Sequence, residues 1–352
     1  MIRSRFFPGI LMISLLIFQA CSSHLANSQH AKPDGKYDAS FPTADGSDQL
    51  ETILRSVKKV NCYTVYKTYV FGEQSHITLA SLTEKDAFSN ADARITSNEA
   101  TSGTALVIQS DENKIALLTC AHIVNLPDTI ISWSEYSDLE ANHYLRSISF
   151  KTKEQITVRD IPNGNGFRIL ACNHDKDLAI LGREYEPALS GQIIPVFPYP
   201  TGHSAEIRWG TFIYLAGYPA GQLMLTKGIV SKSNDPDNHL LTDAPFNEGF
   251  SGGIALALKD GIPNFELIGI GRSVTASKEY FLKPEKEIFE YDYNPSIPYQ
   301  GPLYVKSKNE INYGITWLIP VDRIRDFYLE NRSGILTSGF QLDSFFRVTY
   351  PE

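Results

Sequence analysis

The sequence predicts a β-rich fold from three apolar runs. Residues 103–108 and 115–124 are mostly apolar and are separated by the polar stretch 109–114, which is typical of two strands joined by a turn. The third run, Leu-Ala-Ile-Leu at residues 178–181, has the length and composition of a buried strand. A polar residue capable of proton transfer or hydrogen bonding stands beside two of these strands.

His122 and Asp177 are these two residues. His122 lies near the end of the second run, a position from which an imidazole can act as a general base. Asp177 precedes the third run, where a carboxylate can accept a hydrogen bond from an imidazole and fix its tautomer. Taken singly, His122 also fits a histidine at a strand edge, and Asp177 fits an ordinary turn residue that begins a strand.

Ser251 lies in the segment Gly-Phe-Ser-Gly-Gly at residues 249–253. A serine hydroxyl is a weak nucleophile, so it must be aimed at a carbonyl while nearby backbone N–H groups bind the oxyanion. Glycines permit such a turn, although Ser-Gly-Gly alone is most often a flexible loop. The chain order His122, Asp177, Ser251 is that of chymotrypsin-type enzymes rather than of subtilisin or the α/β-hydrolases. Together the three residues predict a catalytic triad.

The segments around these residues resemble the trypsin-like serine peptidases, and within them the bacterial HtrA/Deg-like group. The matching segments lie between residues 95 and 332, at 103–105, 118–124, 177–181, 217–219, 227–231, 249–253, 267–270 and 319–322. The resemblance implies an all-β fold of two six-stranded antiparallel β-barrels with the active site between them. It places the first barrel at residues 51–186, the second barrel with a short C-terminal helix at residues 187–332, and a tail at residues 333–352.

The same resemblance implies a role for each site residue. Ser251 would attack a peptide carbonyl, His122 would take and return the proton, and Asp177 would orient His122. The backbone N–H groups of Gly249 and Ser251 would form the oxyanion hole. This is the chemistry of a serine endopeptidase that acts on proteins or peptides through an acyl-enzyme intermediate, with no cofactor.

The resemblance also implies a substrate pocket. Pro245 would lie at its base, Ile270, Gly271 and Arg272 would form its walls, and Phe250 would lie at its rim. A buried lysine or arginine side chain needs a partner charge, which Pro245 lacks. We therefore expect cleavage after small or medium apolar residues.

Two features depart from the HtrA-like pattern. Glu248 and Phe250 replace the proline and the second asparagine that are common before the serine. Too few residues follow the expected helix at 321–331 for a further domain of about 100 residues. We therefore expect no peptide-binding PDZ domain.

The N-terminus predicts export. Arg3 and Arg5 precede an almost entirely apolar segment at residues 6–18, and Gln-Ala-Cys follows at residues 19–21, which is the pattern of a secretory signal. It resembles a bacterial lipoprotein signal, which implies removal of residues 1–20, acylation of Cys21 and a location in the cell envelope, at the outer membrane facing the periplasm. A plain signal cleaved after Ala20 is the alternative.

Composition argues against several other functions. Residues 21–50 are polar and predict a solvated tether, and the net charge of −8 gives no electrostatic footprint for nucleic acid. The sequence contains no metal-binding motif, phosphate loop or dinucleotide fingerprint, so we expect no metal and no cofactor. Wide spacing indicates no disulfide framework, although one bridge remains open, among Cys62, Cys120 and Cys172.

Residues 273–313 are acidic, aromatic and proline-bearing and predict a long loop. We expect this loop either to contact substrate or cover the site, or to be a solvated insertion without a catalytic role. Two classes of function remain open for the whole chain. One is an envelope serine endopeptidase, and the other is an envelope binding or scaffold protein on the same fold, either catalytically silent or activated by a partner.

Overall fold

The computed structural model describes residues 33–347, except residues 73, 84–86, 112, 135–143, 163, 185–193, 233–238, 285–293 and 295. The strands described are β1 (Val57–Val70), β2 (Ala93–Ser110), β3 (Lys114–Thr119), β4 (Thr129–Trp133), β5 (Leu145–Val158), β6 (Arg168–Asn173), β7 (Leu178–Glu184), β8 (Phe212–Gly217), β9 (Met224–Lys232), β10 (Leu240–Thr242), β11 (Ile254–Leu258), β12 (Phe265–Pro284) and β13 (Leu303–Pro320). The helices are α1 (Ser47–Leu54), α2 (Ala121–Val124), α3 (Val321–Thr337) and α4 (Asp343–Phe346). None of these helices combines the length and the apolar character that crossing a bilayer requires.

The second half of the chain forms one of the two predicted barrels. Its six strands close in the order β10-β13-β12-β11-β8-β9, and every neighbouring pair is antiparallel. Alternate residues along these strands face the barrel interior. They form a core that includes Leu215, Val230, Ala255 and Leu318.

The first half of the chain forms a curled antiparallel sheet in the order β4-β5-β1-β2-β3-β7-β6. An isolated antiparallel bridge between Ile156 of β5 and Phe167, just before β6, joins the two ends of the six-stranded part. β4 pairs with the first half of β5 and lies outside this ring. In place of the expected closed six-stranded first barrel, the described residues thus form a half-barrel sheet of seven strands with one bridge between β5 and Phe167.

The chain ends differ from the sequence prediction. Helix α3 begins at Val321 as expected but continues to Thr337, and Phe340, Leu342 and Phe346 beyond it are fully buried. Part of the expected tail at residues 333–352 is thus a packed element, because its apolar side chains cover the first sheet. The Phe340 ring, for example, lies against Gly182 of β7.

The described part of the expected tether is also packed. Tyr37 pairs with Lys259, and its buried hydroxyl donates to Glu266 at 2.5 Å. The Asp38 N–H donates to the Leu258 carbonyl at 2.9 Å, and α1 begins at Ser47. Residues 33–50 therefore bind the second barrel instead of forming a free tether. The signal segment and Cys21 lie outside the described residues.

The loop expected at residues 273–313 is largely a β-hairpin. Strands β12 and β13 continue beyond the barrel and pair from Ala276 and Ile311 outward to Pro284 and Leu303. Several apolar side chains on this arm expose more than 60% of their surface, namely Tyr280, Leu282 and Val305. The prolines and acidic residues of this segment conceal its strand pattern in the sequence.

Candidate active site

His122 and Asp177 meet because their strands are neighbours. β3 and β7 are antiparallel, and Thr119 at the end of β3 pairs with Ala179 at the start of β7. His122 in α2 follows β3 directly, and Asp177 precedes β7, so the two side chains reach the same end of the sheet. The His122 Nδ1 atom lies 2.9 Å from both Asp177 carboxylate oxygens. The His122 backbone N–H also donates to Asp177 Oδ1 at 3.0 Å.

A tight turn aims the Asp177 carboxylate at His122. The Asp177 N–H donates to the His174 carbonyl at 3.1 Å, and Asp177 has a left-handed backbone with φ of 54°. Aspartate tolerates this conformation better than most residues do. Asp177 is buried, whereas the neighbouring carboxylate of Asp175 is exposed. The geometry therefore selects Asp177 as the partner of His122.

Thr104 holds the loop that carries Ser251. Its N–H donates to the Ser251 carbonyl at 2.8 Å, and its hydroxyl donates to the Gly249 carbonyl at 2.7 Å. The same hydroxyl accepts from the Tyr218 N–H at 2.9 Å. Thr104 is fully buried and belongs to β2 of the first sheet. Its hydrogen bonds therefore join the serine loop of the second half to the first half. A single threonine in the sequence does not indicate this role.

The backbone of the loop leaves two N–H groups open. Among the described residues, neither Gly249 N–H nor Ser251 N–H has a hydrogen-bond acceptor, whereas the carbonyls of both residues are bound by Thr104. Gly249 has φ of 102°, and a Cβ atom there would lie 2.2 Å from the Tyr218 carbonyl oxygen. Glycine is therefore required at this position, and the two N–H groups can donate hydrogen bonds to an incoming oxyanion.

The Ser251 hydroxyl does not bind His122 in this structure. It donates to the Arg272 carbonyl at 3.2 Å. The His122 side chain is 48% exposed. Within the described residues, Asp177 is the hydrogen-bond partner of its ring. The structure thus brings His122 and Asp177 together, and leaves the serine in a different hydrogen bond. Such catalytic contacts often tighten only when substrate binds.

The predicted substrate pocket is not formed by the residues assigned to it. Ile270 is fully buried in the main core, and a Cβ on Gly271 would lie 2.8 Å from the Phe246 ring. Phe250 is 2% exposed and packs against Phe246 with ring centroids 5.7 Å apart. Residues without accessible surface cannot line an open pocket. The alternation of β12 directs Ile270 into the core, and Phe250 fills the second barrel instead of lying at a rim.

The other two residues assigned to the pocket lie apart from these buried side chains. Pro245 is exposed. The Arg272 guanidinium lies beside Asp177, with Nε 3.6 Å from Asp177 Oδ2, and so approaches the triad instead of forming a wall.

One group of side chains is compact enough to hold a metal ion. A ligand atom from each of Cys120, His122 and Asp177 lies within 4.8 Å of the others. A thiol must lose its proton to bind a metal, but burial, with the Asp177 charge as a smaller cause, raises the pKa of Cys120 well above its usual value. The Cys120 sulfur instead donates to the Gly271 carbonyl at 3.3 Å. The chemistry of this group therefore fits a hydrogen-bonded pair of His122 and Asp177 better than metal binding. All three described cysteines are free thiols.

Comparisons with known proteins found similarity to a sequence profile and to several solved structures. Residues 103–270 match the sequence profile of the trypsin-like peptidase domain. The solved HtrA-type protease AlgW with tripeptide is similar at a TM-score of 0.42 and 17% identity, over 84% of this chain and 65% of that chain. The serine endoprotease from Yersinia pestis gives 0.40 and 17%, over 84% and 69%, and Deg5 gives 0.36 and 18%, over 64% and 83%.

The present chain thus spans about two thirds of the length of the AlgW chain, at 65%. No curated protein sequence matches it significantly. The matched segment nevertheless includes the neighbouring pair His122 and Asp177, the loop of Ser251 and the two open N–H groups. Residues 103–270 of the chain are therefore similar to the trypsin-like peptidase domain.

Proposed function

We propose that the protein is a serine endopeptidase of the bacterial cell envelope, with Ser251, His122 and Asp177 as its catalytic triad. The contact between His122 and Asp177 carries this proposal. Both carboxylate oxygens lie 2.9 Å from Nδ1, which fixes the ring and leaves Nε2 as the atom that can take a proton. A carboxylate in this position also stabilises the imidazolium that forms during the reaction.

The proposed reaction has two halves. As Ser251 Oγ attacks the peptide carbonyl, its proton passes to His122 Nε2, and the resulting oxyanion binds the N–H groups of Gly249 and Ser251. The C–N bond then breaks, the amine leaves with the proton from His122, and an acyl-enzyme ester remains on Ser251. Water, deprotonated by His122, hydrolyses this ester and restores the serine.

The serine must change its hydrogen bond before the first step. Its hydroxyl now donates to the Arg272 carbonyl, and rotation about the Cα–Cβ bond moves Oγ between staggered positions. The N–H groups of Gly249 and Ser251 support the proposal, since neither has an acceptor among the described residues. Proteins or peptides are the proposed substrates.

Covalent labelling tests the proposed nucleophile. We expect a fluorophosphonate probe to modify purified wild-type protein at Ser251, identified by peptide mass spectrometry, and to leave the Ser251→Ala variant unmodified. Lack of labelling in folded wild-type protein, at probe concentrations that label a reference serine peptidase fully, would contradict the enzyme. It would favour the alternative of a silent or partner-activated binding protein, which the hydrogen bond from Ser251 to Arg272 is consistent with.

The proposed envelope location has a separate test, because it rests on residues 1–21 outside the described region. Cys21 is the proposed site of acylation. We expect Cys21→Ala to reduce metabolic labelling with palmitate to background. Recovery of wild-type protein as a soluble, unlipidated species beginning at Cys21 would reject the anchor and leave the peptidase proposal untouched.

A further inference from the structure

Arg272 is the extra residue of a β-bulge beside the triad. On its two sides, Gly271 pairs with Leu318 and Ser273 pairs with Trp317, so β12 holds one residue more than β13 between these pairs. A bulge frees the main chain of the extra residue from the ladder and re-aims its side chain. At Arg272 the freed carbonyl accepts the Ser251 hydroxyl at 3.2 Å.

The re-aimed side chain reaches the other end of the triad. Arg272 Nε lies 3.6 Å from Asp177 Oδ2, and Arg272 Nη1 lies 3.1 Å from His239 Nε2. An arginine carries five N–H donors in a fixed fork and is always charged, so it can hold both contacts at once. Arg323 Nη1 approaches the same His239 nitrogen at 3.2 Å. The Arg272 guanidinium therefore contacts His239 and also lies beside the carboxylate that binds His122.

We propose that Arg272 is a positioning residue that sets the pH at which His122 becomes an effective base. The inference rests on the proposed peptidase function. Asp177 stabilises the protonated ring of His122, but it shares its charge with the Arg272 guanidinium. A second cation at the same carboxylate makes the imidazolium less favourable. Arg272 therefore weakens the support that Asp177 gives to the protonated ring of His122.

The other groups that face the pair do not supply this charge. Burial raises the pKa of the Cys120 and Cys172 thiols above the ordinary value, so both stay neutral. The His174 ring is exposed, and its Nε2 atom lies 3.0 Å from the Asn125 side-chain nitrogen. His239 contacts both Arg272 and Arg323, and the ion pair that Asp177 forms within the described residues, besides that with His122, is with Arg272. Among the described residues, Arg272 is thus the positively charged side chain that lies beside the Asp177 carboxylate.

The pH profile of kcat/KM separates this role from a structural one. We expect Arg272→Gln to move the acid limb to higher pH by about 0.5–1 unit, less than the 1–3 units of a close buried charge, because Arg272 is one third exposed. Arg272→Lys keeps the charge and should return the limb toward the wild-type position. All variants retain the main-chain carbonyl that binds Ser251.

Arg323→Gln is the matched control, since it removes the other guanidinium from His239 and leaves Asp177 untouched. Its acid limb should coincide with that of the wild type. Equal limbs for Arg272→Gln and wild type would overturn the proposal. So would an equal displacement in Arg272→Gln and Arg323→Gln, which would indicate a general loss of positive charge.

A measurement without turnover keeps the inference independent of the proposed activity. In a Ser251→Ala background, the ring protons of His122 can be titrated by NMR with Arg272 present or replaced by Gln. We expect the midpoint to rise by the same amount, about 0.5–1 unit. A rise in this background, together with no detectable hydrolysis by the protein that keeps Ser251, would reject the peptidase and retain the charge effect. Coincident midpoints would reject the charge effect alone.

Discussion

Asp177 is the residue on which the other site groups converge. Its carboxylate receives the ring and the backbone N–H of His122 and lies beside Arg272. Its side chain is 9% exposed, and a buried carboxylate is costly unless such donors surround it. The turn before β7 therefore places this carboxylate where it can accept from both His122 N–H groups.

Residues that act as one catalytic unit give non-additive losses. We expect Ser251→Ala and His122→Ala each to abolish nearly all hydrolysis, with losses of about 10⁶ in turnover as in a reference protease. The double variant should be scarcely slower than either single variant in steady-state assays. Asp175→Ala serves as the control, because that carboxylate is exposed, and it should be nearly silent. Multiplying losses in the double variant would show that the two residues act separately.

The Thr104 hydroxyl should matter for both stability and labelling. Thr104→Val keeps the shape but leaves the Tyr218 N–H and the Gly249 carbonyl without a buried partner. We expect a loss of about 1–3 kcal/mol in the free energy of unfolding, measured in urea. The rate of fluorophosphonate labelling at Ser251 should fall by about 10- to 100-fold, since small displacements of a nucleophile are costly.

Thr104→Ser is the control for that experiment. It retains the hydroxyl and loses only a methyl group, so labelling should stay close to wild type. If the valine variant were labelled as fast as the serine variant, the contacts of Thr104 with the loop would not hold Ser251 in place.

Only part of the site is visible in the sequence. His122 and Asp177 can be predicted because each borders an apolar strand, and Ser251 because glycines surround it. Thr104 and Arg272 depend on contacts between the two halves and on a one-residue bulge, which a single sequence does not display. The pocket prediction fails at Ile270 because the burial of a side chain depends on the register of β12.

At the scale of elements, the first turn of α3 is fixed by Asp322. Burial alone would raise the pKa of this carboxyl, but hydrogen bonds from Ser204, Arg325 and the Ala205 N–H outweigh it and hold the pKa below its usual value. Ser204 precedes β8, so these contacts fasten the helix to the second barrel. A negative charge in the first helical turn is also favoured by the helix dipole.

A lowered pKa makes this contribution dependent on pH. The stabilisation is complete above the unfolded value of about 3.9 and is lost as the pH falls through the lower folded value. We expect Asp322→Asn to reduce the free energy of unfolding at pH 7 by about 1 kcal/mol, measured in urea, with a smaller difference at pH 3. Asp326→Asn on the same helix is the control, because Asp326 is exposed. A difference that grew on acidification would contradict this assignment.

The element predictions succeed where the pattern is simple. β3 and β7 are short apolar runs, and both lie where the sequence indicates. The outer half of the β12–β13 hairpin is missed, because exposed strands carry no alternation between buried and polar residues. The length of α3 is underestimated because its last turns follow Asn331 and include Gly334, a poor helix former.

At the scale of the whole molecule, each end of the described chain packs against the opposite half. The N-terminal end packs on the second half, and the C-terminal end packs on the first half. The N-terminal segment around Tyr37 binds the second barrel. The C-terminal segment binds the first sheet, where Lys114 donates to the Gly339 carbonyl at 2.8 Å and the Gln341 N–H donates to the Gln109 side chain at 3.1 Å. The main core also draws residues from both halves, Leu118 and Ile254 among them.

We call this reciprocal packing of the two end segments the clasp, because it joins the two halves without a covalent bond. A protease site can be introduced between residues 185 and 193, which connect the two halves in sequence. Cleavage there gives two fragments, and each fragment carries the end segment that packs on the other fragment. We expect them to co-elute in size-exclusion chromatography with an unchanged circular dichroism spectrum, and to unfold in a single transition. Either fragment expressed alone should be insoluble, because it lacks the segment that covers it. Separation of the nicked fragments under native conditions would show that the covalent connection, and not the clasp, keeps the two halves together.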